Sequence, residues 1–171
     1  MRTTLQRLGV VMVLVVGSLL GVAAVPAQAA VRQIDGPAYV SPSPGVPCPA
    51  PPKAFSDFTD FAPLVLRGSL IGCWYTKIDS FRSRPSGVYL ERGREVFVGR
   101  LRGGRAGTFT TTYRFEGKFT PDGAEVHGRC QHPLVPGSGT GGFAGVTGRV
   151  DFKDLIATPV TYVYRGHLSF R

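Results

Sequence analysis

Five polar side chains in the C-terminal half of the chain have types and a spacing that would do chemistry if they met. Glu125, His127 and Arg129 alternate along EVHGRCQ, with Gln131 next in the series. Arg165 and His167 alternate along YRGHL. Alternate residues of a strand share one face. Two such strands facing the same space would gather one carboxylate, two imidazoles and two guanidinium groups. Guanidinium groups grip carboxylates in a bidentate fork. An imidazole gives or takes a proton near neutral pH. The set would therefore bind a carboxylate and work on it by acid–base chemistry. The competing reading is that both polar faces look at solvent, because a small barrel fills its inside with the apolar parity.

Other constellations are weaker. His127, His132, His167 and Cys130 fit no structural zinc spacing, and His127 and His132 fall on opposite strand parities, so no metal is expected. Gly137-Ser-Gly does not extend to a G-x-S-x-G nucleophile elbow. A Cys–His pair at Cys130 competes with a disulfide at the same residue. Arg92, Arg94, Arg100, Arg102 and Arg105 form a basic run that reads as a solvated hairpin, and no nucleic-acid partner is expected. No cofactor is implied by any motif.

The elements that would position these residues are strands. In Thr108 to Phe119, residues Phe109, Tyr113, Phe115 and Phe119 take one parity, and Thr110, Thr112, Arg114, Glu116 and Lys118 take the other. Period two marks a half-buried strand. Val160 to Phe170 repeats the pattern. Val88 to Val98 reads as two short strands about an Arg92-Gly93 turn. Ser69 to Phe81, Ala124 to His132 and Gly148 to Leu155 add further strands. No window after the first thirty residues carries a helical stripe. Six to eight antiparallel strands at this spacing predict a sandwich or a barrel.

Between two of these strands lies VPGSGTGGFAGVTG, residues 135–148, with six glycines. A dinucleotide loop needs a helix after the glycines and an acidic residue about twenty positions on. Here the alternating GRVDFKD follows, which reads as a strand. The glycines are expected to serve a tight turn and close backbone approach at a barrel corner.

The chain starts with Arg2 and Arg7, runs apolar from Val10 to Val25, and reaches Ala27-Gln-Ala29. This is the pattern of a cleaved secretory signal peptide. The expected organisation is a signal peptide over 1–29, a Pro-rich extended arm over 30–63, and a β-barrel domain over 64–171. The protein is expected outside the cell, with no membrane attachment after cleavage. The mature chain would carry 18 basic and 11 acidic side chains, a net charge of +7. Cys48, Cys73 and Cys130 are an odd set for an oxidising compartment. A Cys73–Cys130 disulfide is expected because both fall in strands, with pairing of Cys48 to either left open.

One resemblance bears on the fold. The run Gly139-Thr-Gly141-Gly-Phe143-Ala-Gly145-Val-Thr-Gly148 resembles the glycine turn of the allene oxide cyclase and dirigent barrels. It is closer to that of small bacterial domains sharing this barrel, which the segments around Cys73, Cys130 and Tyr164 also resemble. The resemblance implies an eight-stranded antiparallel barrel in which Gly139, Gly141, Phe143, Gly145 and Gly148 form a structural turn. Plant members act on hydrophobic small molecules in the lumen, often as dimers or trimers, which makes a homo-oligomer an open expectation. Their catalytic residues do not map onto this chain. Three functions follow: non-catalytic binding of a small apolar ligand or a surface partner, an isomerase or cyclase acting on such a ligand, or a structural barrel with a filled lumen. Binding is the leading expectation.

Overall fold

The computed structural model describes residues 30–42, 47–155 and 161–170. The segment read as a signal peptide lies outside the described residues. Eight antiparallel strands form one sheet: β1 (Ala30–Val40), β2 (Leu64–Leu66), β3 (Leu70–Ser83), β4 (Val88–Leu101), β5 (Ala106–Phe119), β6 (Glu125–Gln131), β7 (Thr147–Leu155) and β8 (Thr161–Phe170). Strands β1 to β6 pair in chain order, β7 pairs with β8, and β8 returns to pair with β1. The result is an up-and-down barrel with its seam between β6 and β7.

The seam closes at one end only. Residues 132–135 run on from β6 and bond both ways. Leu134 N–H donates to Gly148 O at 3.0 Å, and Val150 N–H donates to His132 O at 3.1 Å. On the other side Val135 N–H donates to Thr110 O at 2.9 Å. Beyond these bonds no ladder joins β6 to β7 among the described residues. The barrel is thus nearly closed, with a tight end and a mouth.

Several sequence expectations change here. The barrel begins earlier than residue 64. Ala30–Val40, read as part of the arm, is a full strand paired with β2 and β8. Val88–Leu101 is one continuous strand and not a hairpin. Gly93 sits within it because a Cβ there would meet the Tyr113 ring at 2.4 Å. The disulfide joins Cys48 to Cys73 and leaves Cys130 free. The reason is geometric: Cys73 packs with the outer cluster, whereas Cys130 lines the lumen three strands away.

The bridge holds the Pro-rich segment on the outer wall. Phe55 and Phe58 pack with Tyr75, Val96 and the two bonded cysteines. The Tyr75 hydroxyl donates to Pro49 O at 2.8 Å, and Asp60 N–H donates to Thr76 O at 3.1 Å. Arg94 lies over the Phe58 ring and is gripped by both oxygens of Asp79.

Inside, the tight end is filled. Phe97, Phe109 and Phe143 meet with Leu70, Val146, Val150 and Leu168, all buried. The glycine-rich stretch supplies the plug. It turns through a short 3-10 segment, Gly141–Phe143, and drives the Phe143 ring into the lumen. Gly141 holds φ +54°, and a Cβ on it would meet Ala106 O at 2.3 Å. Gly139 has no room either, since its Cβ would sit 1.8 Å from Phe143 O. Positive φ and close approach both demand glycine here.

Candidate functional site: the mouth half of the lumen

Toward the mouth the filling stops. A cavity of about 550 Å³ opens there. Its walls are rich in aromatic rings, with Trp74, Tyr89, Tyr113, Phe115, Phe119 and Phe152 among them. Among the described residues, Glu91, Glu95, Thr111 and His132 are the buried polar side chains. Three of them, Glu91, Glu95 and His132, line this cavity.

The continuous β4 explains the carboxylates. Its inward parity reads Glu91, Gly93, Glu95, Phe97, so two acidic residues stand on the face that also carries a core phenylalanine. Glu95 is 4 % exposed. Its Oε2 accepts a bond from Thr111 Oγ1 at 2.8 Å and lies 2.7 Å from His132 Nδ1. Its Oε1 has only a long contact, 3.5 Å, from the Thr76 hydroxyl. Glu91 accepts two tyrosine hydroxyls at 2.6 Å, Tyr113 on Oε1 and Tyr89 on Oε2. Burial, the bond to Glu91 and its charge push the Tyr89 hydroxyl up to about 12. Tyr113 is raised further by the same causes. Both hydroxyls therefore keep their protons and donate them.

His132 comes from the segment that closes the seam. Its ring stacks on Tyr113 with centroids 5.9 Å apart, and meets Phe152 and Trp74 edge-on at 5.2 and 6.2 Å. With Nδ1 turned to Glu95, Nε2 has no hydrogen-bond partner. Neither has Trp74 Nε1. Both residues line the cavity and are more than nine-tenths buried. A buried polar group without a partner is costly, of order 1–3 kcal/mol, so two on one cavity call for an explanation. Cys130 also lines the cavity; burial, and then the charges of Glu95 and Glu91, push its thiol up and keep it protonated. Among the described residues no three His, Cys, Asp or Glu side chains gather as a metal site.

The residues chosen from sequence fall elsewhere. His127, Arg129, Arg165 and His167 are exposed. Glu125 is half-buried at the cavity rim. It parts from His127 and Arg129 because the β5–β6 register slips between Lys118 and Phe119, which pair with His127 and Glu125. That bulge puts Glu125, Gly128 and Cys130 on the lumen side and sends His127 and Arg129 out. The five residues do not converge, and the arginines stay outside the barrel. The residues that do converge, Glu91, Glu95 and His132, carried one legible signal. Glu91 and Glu95 share the parity of Phe97, and a charge on an apolar face marks a site.

No family model matches the chain, and neither a curated protein nor a solved structure matches it.

Proposed function

We propose that the chain is exported and that its barrel binds a small, largely apolar molecule in the mouth half of the lumen. The molecule's polar end rests on Glu95, His132 and Trp74. The observation that carries this is the cavity, on whose wall stand Glu91, Glu95 and two residues, Trp74 and His132, that each hold a buried polar atom without a partner. Aromatic walls with a few convergent polar groups are the usual make-up of a small-molecule site. A purely structural barrel would be filled at both ends. The Cys48–Cys73 bridge supports an oxidising compartment.

Trp74 is the only tryptophan in the chain and sits in the wall, so its emission reports on occupancy. Titration with adamantanol, compact and neutral, is expected to give a saturable change with one site per chain. Emission that rises or falls only linearly with added compound would sink the binding reading.

One observation favours a second reading, an isomerase or cyclase acting on the bound molecule. The Glu95–His132 contact fixes the imidazole and leaves Nε2 as the atom able to move a proton. The molecule carried by His132→Gln protein from the expression host should then be a different isomer from that carried by the unaltered protein. Chromatography of the two extracts checks this, and an identical compound in both ends the catalytic reading.

A further inference from the structure

The cavity is acidic inside a protein that is basic outside. Two carboxylates, Glu91 and Glu95, are buried in its wall. Among the described residues no Arg side chain lines it, and its one lining Lys, Lys153, is exposed. The protein supplies Glu91 with two neutral hydroxyls and no cation among the described residues. Glu95 has His132 on Oε2, while Oε1 keeps only the long Thr76 contact. Buried charge is ordinarily matched by a counter-charge, because attraction is strong where water is excluded. The aromatic rings add to this. Trp74, Tyr113 and Phe152 pack around His132 and line the same cavity. Aromatic faces draw cations.

We propose that the ligand is an apolar molecule carrying a basic nitrogen, with its ammonium group on Glu95 and within the field of Glu91. This rests on the binding reading above and narrows it. An ammonium group has the donors to approach Glu95 Oε1 more closely than the Thr76 hydroxyl does. An oxygen on the same molecule, or a water beside it, answers the Trp74 N–H. A carboxylate ligand, which the exposed arginines suggested, meets two like charges and is rejected.

Three compounds of one shape test the proposal: adamantylamine, adamantanol and adamantanecarboxylate, each followed by Trp74 emission at pH 7. The amine is expected to bind at least about tenfold tighter than the alcohol, and the carboxylate to bind weakest. Glu95→Gln should remove most of the amine's advantage over the alcohol. An amine no tighter than the alcohol, or a carboxylate that binds best, overturns the charge assignment while the binding reading stands. Saturation by none of the three overturns both. The unaltered protein answers the question by itself, so the result does not depend on the variant folding.

Discussion

Phe143→Ala is expected to lower the stability of the barrel by about 4 kcal/mol, roughly a thousandfold in the unfolding constant. The ring is fully buried and packs against Phe109 at 5.0 Å and Phe97 at 5.6 Å, both nearly edge-on. Its removal leaves a void that the neighbours cannot close. Phe97 and Phe109 face each other on paired strands and are pinned by the β4–β5 ladder. The midpoint of thermal unfolding should fall by roughly 12 °C for a domain of this size. Below that midpoint, adamantanol should bind as before, because Phe143 does not line the mouth cavity. A fall of under about 3 °C would mean that the loop does not plug the barrel.

Loss of the Cys48–Cys73 bridge ranks next. The bonded residues are 25 apart in sequence. Closing a loop of that length stabilises by about 3.5 kcal/mol in the chain-entropy treatment. Reduction, or Cys48→Ser, should lower the unfolding midpoint by roughly 10 °C. The pairing itself is checked by mapping peptides from non-reduced protein. The peptide with Cys48 should be joined to that with Cys73, and Cys130 should react with a thiol reagent once the protein is denatured. A Cys73–Cys130 peptide would reject this arrangement.

Strands were easy to read where the two faces differ in kind. In β5 the inward aromatics alternate with outward Thr, Arg and Glu, and β8 does the same. The glycine stretch was legible as a turn because no helix follows it. β1 was not legible, for a reason of space. Its inward residues include Gly36, where a Cβ would meet Arg67 O at 2.0 Å and the Tyr164 hydroxyl at 2.7 Å. That hydroxyl bonds Leu70 N–H and Arg67 O, and the strand must be bare to pass it. A small residue there erased the apolar signature.

The site was missed for related reasons. Arg92-Gly93 looked like a turn, yet Gly93 makes room for Tyr113 within a straight strand. Once β4 is cut in two, Glu91 and Glu95 no longer share a face with Phe97. In β6, equal spacing of Glu125, His127 and Arg129 suggested one face, and a bulge broke it. Parity carries through a ladder only while the register holds. The disulfide was misread in the same manner. A place in a strand is not sufficient for pairing; the face on which each cysteine stands decides it.

The lumen is divided, packed at the glycine-rich end and hollow at the other. The aromatic plug, the hydrogen bonds across the seam and the Tyr164 latch all belong to the packed end, and the disulfide grips from outside. The hollow end carries the residues that choose a guest. Trp74 joins the two, packing on Phe97 and Phe109 while lining the cavity, but the lining at Phe115 or Phe119 can be rewritten for a new guest while the packed end keeps the scaffold folded.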